Sequence, residues 1–228
     1  MTLEELKTKL QKKAIIFQTG GTRSTSELGE SWIGAIKWKR ESDEIPKDVD
    51  GTTMLPLASV FTGNLEWVPA QIEGIKLCNI FISPNIMEHL DNMDGYFKVQ
   101  MYDSLEDLKQ CDLVMDKIKA FPLVPQLVED DCPQWDGGMD PDLEDAVSEL
   151  ERSEGIDYYD DIHINDYSMH KVGGYPAYIQ PGDWDKEYDF VFQISSDPKA
   201  GLNVVDNGSF YFFYNKAKDD WILQCDFF

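Results

Sequence analysis

One series of segments occurs twice along this chain in the same order, and a chain that repeats a strand pattern has to build its core from two like contributions. The first copy starts at Ser31-Trp32-Ile33-Gly34 and the second at His170-Lys171-Val172-Gly173-Gly174, each expected to lead into a loop. A strand closed by a polar turn follows, residues 55–62 in one copy and 188–195 in the other. After a turn marked by Gly74 or by Asn207-Gly208, residues 74–82 are answered by 208–215, and residues 96–102 by 221–228. Polar and apolar residues alternate only imperfectly in these runs, which predicts a sheet covered on both faces in places.

The 228 residues are 42% hydrophobic, enough for one large core or two small ones, and 12% aromatic, mostly Phe and Tyr inside short apolar runs that suit strands. The expected fold is α+β but β-rich: two pseudo-repeated antiparallel β halves packed together over a shared core, with a few short helices. Thr2 and Glu5 stand at capping-box spacing and Leu3, Leu6 and Leu10 share a helical face, so a short amphipathic helix opens the chain. Residues 14–18 read as a brief buried strand stopped at Gly20-Gly21. The expected divisions are a lead-in over 1–30, a first half over 31–128, an acidic bridge over 129–161 and a second half over 162–228, all in one compact unit.

Asp and Glu number 43 against 20 Lys and Arg, a formal net charge of −23. A field of that sign repels phosphate backbones and anionic lipid and hastens the approach of a basic protein. No nucleic acid and no membrane are therefore expected as partners, and a basic protein is; solubility alone is the competing account of the charge. The start MTLEELKTKL lacks the features of a secretory signal, and no apolar run approaches the roughly 18 residues of a membrane span, so a cytoplasmic location is expected. Cys78, Cys111, Cys132 and Cys225 lie far apart with no CxxC pair, which predicts free thiols.

Fourteen acidic residues and one basic residue, Arg152, fall between 129 and 161, so more than half of the net charge sits in that stretch. Within it, Asp140 as N-cap, Pro141 at the first helical position and the stripe Leu143, Val147, Leu150 before Gly155 predict one docked helix. The remainder reads as acidic loop with Trp135, Tyr158 and Tyr159 interleaved. On this reading Asp130, Asp131, Asp136, Asp157, Asp160 and Asp161 steer a basic partner and Trp135 or Tyr158 anchors it. The alternative is a solvated loop.

Residues 170–180 read H-K-x-G-G-Y-P-x-x-x-Q, and DFVFQISSDP, NGSFYFFYNK and WILQCDFF follow. This series resembles the YwqG-like family, a domain of unknown function, over residues 31–228. In the first half SWIG and LPLASVFTGNL match the family's S-x-x-G-G and P-L-x-F-L-x-Q-I-N-L segments loosely, with Ala35 at the second glycine and Phe61 or Thr62 at the glutamine. The resemblance implies a two-fold duplicated α+β fold and no established reaction. It also implies a context similar to that of bacterial immunity proteins, since such proteins are sometimes encoded beside polymorphic toxins; the basic partner would then be a toxin domain.

No G-x-S-x-G, Walker, G-x-G-x-x-G or H-E-x-x-H pattern occurs, and the stretch from Gly29 to Gly34 is one residue too long for a nucleophile elbow. His89, His163 and His170 are the only histidines, and the spacing of the last two is not that of metal ligands. The acidic cluster from Asp140 to Asp145 lacks the mid-loop glycine and terminal glutamate of a calcium loop. No catalytic residue, cofactor or metal is assigned. His170 has two readings. In one it contacts a ligand beside a Gly-Gly turn whose amides face an anion, with Lys171, Gly173, Gly174 and Tyr175 near the mouth of a cleft between the halves. In the other it is structural, its ring bonded to backbone. The sequence thus points first to an acidic binding protein of the immunity type, with a small-molecule-binding or enzymatic domain as the alternative.

Overall fold

The computed structural model describes residues 1–135, 137–182 and 187–228. The Thr2 hydroxyl accepts from the Glu5 N–H while the Glu5 carboxylate accepts from the Thr2 N–H, and this capping box starts helix α1 (Leu3–Leu10), whose Leu6 and Leu10 are buried. Eight strands follow: β1 (Lys12–Thr19), β2 (Ser31–Ile33), β3 (Ala35–Arg40), β4 (Leu55–Phe61), β5 (Leu77–Ile82), β6 (Phe97–Tyr102), β7 (Leu108–Val114) and β8 (Phe121–Asp131). Helix α2 (Pro141–Glu154) and a π-helical turn (Tyr158–Ile162) come next, then β9 (Lys171–Gly173), β10 (Asp189–Ser195), β11 (Ser209–Asn215) and β12 (Asp220–Asp226). No helix among the described residues is long and apolar enough to cross a membrane.

Ten strands form one antiparallel sheet in the order β12-β11-β10-β9-β1-β8-β2-β4-β5-β6, and β3 pairs with β7 in a small second sheet. The fold is β-rich, with few and short helices. The large sheet curls until it nearly closes: Phe97 of β6 meets Phe212 of β11 with ring centroids 5.9 Å apart, and β6 and β12 line one cleft without pairing. Every one of the ten strands sends apolar side chains into the enclosed core, from Phe17 on β1 to Leu223 on β12.

The outer face is covered too, and this explains the broken alternation in β5 and β11, which are buried at almost every position. The β3–β7 ribbon lays Ile36, Cys111 and Leu113 against Phe81, while Tyr178 lies against Tyr211 and Phe213. Polar side chains in the covered strands pin these layers. Asn79 donates to the Trp38 carbonyl at 2.8 Å, and Gln193 accepts from the Ala177 N–H at 2.8 Å.

From the sequence a loop is expected after Gly34, yet β3 follows Gly34 directly and β7 returns beside it. β8 lies at the centre of the large sheet although Pro122 and Pro125 argue against a central strand. The register resolves this. β8 pairs with β2 through Phe121, Pro122 and Leu123 and with β1 from Leu123 onward, so only Leu123 has partners on both sides and each proline falls where one side is open. Glu129, Asp130 and Asp131, the first of the acidic stretch, are the end of this strand and not part of a loop.

The rest of the acidic stretch folds with α1. α2 is capped by Asp140, whose carboxylate accepts the Asp142 N–H at 2.9 Å, carries Pro141 in its first turn and stops at Gly155 with φ of 73°. Its Val147 and Leu150 join Leu6, Leu10, Cys132, Met139, Tyr158 and Ile162 in a second hydrophobic cluster. The result is a helical lobe that carries its own apolar interior.

Candidate functional site

The 170–180 segment enters the middle of the sheet as β9, between β1 and β10. The His170 ring is buried; Nδ1 accepts the Ser195 N–H at 3.1 Å, so Nε2 carries the proton and faces Asp197 Oδ2 at 3.3 Å. Burial opposes ionisation of Asp197, but hydrogen bonds from His170, Thr19 and the Ala200 N–H outweigh it and hold the carboxyl well below the usual range. Lys171 Nζ sits 2.9 and 3.2 Å from the two Asp131 oxygens, and Asp131 also accepts the Tyr175 N–H at 2.8 Å. Both side chains are within 2% of full burial. Burial pushes the Asp131 carboxyl up and the Lys171 ammonium down against their mutual attraction, so the pair carries a desolvation cost.

The two glycines are required by these neighbours. Gly173 and Gly174 have φ of 73° and 72°; a Cβ on Gly174 would lie 1.9 Å from Asp131 Oδ2 and one on Gly173 2.5 Å from the Trp67 ring. Gln180 closes the segment by donating from Nε2 to the Phe227 carbonyl at 2.7 Å. The segment ties β9 to β1, β8, β10 and the last residues of the chain.

Outside the glycines lies a cavity of about 350 Å³ bounded by Lys12, Lys13, Trp67, Tyr175, Asp189 and Phe190 together with Gly173 and Gly174. Lys12 Nζ is 3.9 Å from the Tyr175 ring centroid, while Lys13 pairs with Glu129 at 2.7 Å. Crowding by these walls lowers the Lys12 ammonium, with Asp131 and Asp189 partly offsetting it. Of the residues expected from the sequence at a ligand site, Gly173, Gly174 and Tyr175 line this cavity. His170 and Lys171 do not; they are sealed behind it in the sheet.

The residues expected to meet a basic partner divide. Asp157 and Asp160 are exposed and Asp161 partly so, all on the π-helical turn; the Asp157 carboxylate caps that turn by accepting the Tyr159 and Asp160 N–H groups. Asp130 is half-buried and accepts from Asn165 Nδ2 at 2.8 Å and the Tyr167 hydroxyl at 2.9 Å. Asp131 is withdrawn from the surface altogether, because β8 carries it inward to Lys171. Tyr158 is also withdrawn: it is 2% exposed and its hydroxyl donates to the Pro133 carbonyl at 2.6 Å, whereas Tyr159 beside it is 49% exposed. No hydrophobic period distinguishes the two neighbours in so short a turn. Trp135 is half-buried, edge-on to Tyr158 at 5.2 Å, and Asp136 lies outside the described residues.

A family model described as Domain of unknown function (DUF1963) matches residues 80–222, more than half of the chain. The chain belongs to the DUF1963 family. No curated protein matches it.

The DUF1963 match starts within β5 and ends within β12, so it takes in α2 and the π-helical turn of the lobe, the Asp131–Lys171 pair and the whole 170–180 segment, and leaves α1, β1, β2, β3 and β4 outside. Four residues that complete the surroundings of the DUF1963 segment escape sequence reasoning: Lys12, Trp67, the buried role of Asp131, and Asp197. One signal does exist. A lysine inside an apolar strand demands a carboxylate, and Lys171 sits between His170 and Val172 on such a strand; which of 43 carboxylates answers is decided by strand pairing alone.

Proposed function

We propose that the chain is a binding protein that captures a basic protein on its helical lobe, in the manner of an immunity-type inhibitor of a cationic toxin domain. One observation carries the reading. The lobe satisfies its apolar side internally while Asp142, Asp145, Glu149, Glu154, Asp157 and Asp160 all stand exposed. None of these six makes a salt bridge among the described residues. Unpaired carboxylates of one sign on a rigid surface speed the approach of a cation and reject anionic competitors. Tyr159, in place of Tyr158, supplies the exposed aromatic anchor, with the edge of Trp135 beside it. Such a protein acts in the cytoplasm, where a toxin domain would meet its targets.

The same reading takes the sheet as two related halves. In support, β2-β4-β5-β6 and β9-β10-β11-β12 are both meanders running outward from the central β1 and β8. The β4–β5 register shifts between Pro56 and Ala58, and the β10–β11 register between Phe190 and Phe192. Ser31 Oγ accepts the Phe61 N–H at 2.9 Å where His170 Nδ1 accepts the Ser195 N–H at 3.1 Å. Each lead-in strand pairs with the opposite meander, β1 with β9 and β8 with β2, so the halves interlock and do not form separate domains.

The test is a low-salt capture from host lysate with the wild type and with a variant carrying Asp142→Lys, Glu149→Lys, Asp157→Lys and Asp160→Lys. A cationic protein retained by the wild type and lost by the variant is the expected result. Equal retention by both removes the lobe as the binding surface.

A further inference from the structure

We infer that the seam of the large sheet, between the edges of β6 and β12, is a docking groove for an extended basic segment of another protein, which adds to β6 as a further strand. The inference does not rest on the acidic lobe. Ten strands in antiparallel order leave only β6 and β12 with a single neighbour, and these two edges line one cleft without pairing. The phase of β6 follows from its hydrogen bonds. The Tyr96 carbonyl accepts the Ser83 N–H at 2.7 Å and the Tyr102 carbonyl accepts the Lys76 N–H at 2.7 Å, both on the β5 side. Main-chain groups alternate sides along a strand, so those of Phe97, Val99 and Met101 face the seam. They have no main-chain partner among the described residues. Gly95, in the same phase, shows this edge in use: its carbonyl accepts the Val49 N–H at 3.2 Å.

Shape and charge choose the occupant. Two hollows of about 330 and 700 Å³ lie along the seam and share Asp94, Phe97, Asp220 and Trp221 as walls, so they join into one trough. Phe97, Val99 and Met101 on β6 and Trp221, Leu223 and Cys225 on β12 pack with the core. A strand laid between these edges would turn every second side chain to that apolar side and the others outward. Along the trough Asp91, Asp94, Asp219 and Asp220 are exposed, and none makes a salt bridge among the described residues. Lys47 and Lys98 are the cations on its described lining. Main-chain bonds to an open edge supply affinity for any extended chain, and the surplus of carboxylates selects a basic one.

The experiment uses the full chain with a blocked heptapeptide of alternating lysine and valine as the probe, and the same peptide with glutamate for lysine as the control. The basic peptide is expected to bind at least about tenfold more tightly than the acidic one. Amide hydrogen exchange at Phe97, Val99 and Met101 is expected to slow in that complex. A variant carrying Asp94→Lys and Asp220→Lys is expected to lose that protection, with its melting temperature followed to show that it is folded. The variant reversed at Asp142, Glu149, Asp157 and Asp160 is expected to keep it, which separates a failure of the seam from a failure of the lobe. The inference is overturned if the basic peptide binds without slowing exchange at these three amides, if both peptides bind alike, or if neither binds at millimolar concentration.

Discussion

A lysine with almost no solvent contact has to be neutralised where it stands, and Lys171 is paired with Asp131 at 2.9 Å. Taking away the ammonium leaves a buried carboxylate whose only remaining recorded donor is the Tyr175 N–H, so Lys171→Met is expected to cost about 3–5 kcal/mol in urea unfolding. Asp197 contributes to stability at acid pH. Its folded pKa is held below the ordinary value of about 3.9, so its contribution is complete above that pH and is lost as pH falls through the folded value. The stability gap between wild type and Asp197→Asn is therefore expected to narrow steadily as unfolding is measured from about pH 5 downward; a constant gap would show that Asp197 is not linked in this way. At this scale the sequence names one side of each interaction. His170, Lys171 and the glycines stand in a recognisable run, but Asp131, Asp197 and Trp67 reach them across strands, and no local spacing encodes that reach.

Helix ends are written in local chemistry, so α1 and α2 are legible: Thr2 with Glu5, Asp140 with Pro141, and Gly155 mark their limits within a residue or so. Strands depend on what lies beside them. β8 hides behind two prolines, and β7 presents a mostly exposed face with no clean alternation, so neither can be read before its neighbours are known. The helical lobe hangs on a small cluster, in which Leu150 is 5% exposed. Leu150→Ala is expected to cost about 2–5 kcal/mol, concentrated in the lobe. Hydrogen exchange should then accelerate at amides of α1 and α2 while those of β5 and β11 stay protected; uniform acceleration would mean that lobe and sheet unfold as one unit.

Across the whole molecule, the β-rich character and the crowding of negative charge are both visible in the sequence, whereas the single curled sheet is not, because it arises from β1 and β8 pairing together at its centre. Beyond the end of β8 the acidic stretch packs with α1 around the second hydrophobic cluster. In the proposed function this lobe attracts a cationic protein by long-range force. Surface charges act through a screening length of about 8 Å at physiological ionic strength and about 30 Å at 0.01 M, so the signature is kinetic. The deciding measurement is the association rate of the captured basic partner as a function of ionic strength, for the wild type and for the variant reversed at Asp142, Glu149, Asp157 and Asp160. A steep fall with salt is expected for the wild type and a slow, nearly flat or rising profile for the variant; the same slope for both would show that the lobe's charge does not steer the encounter.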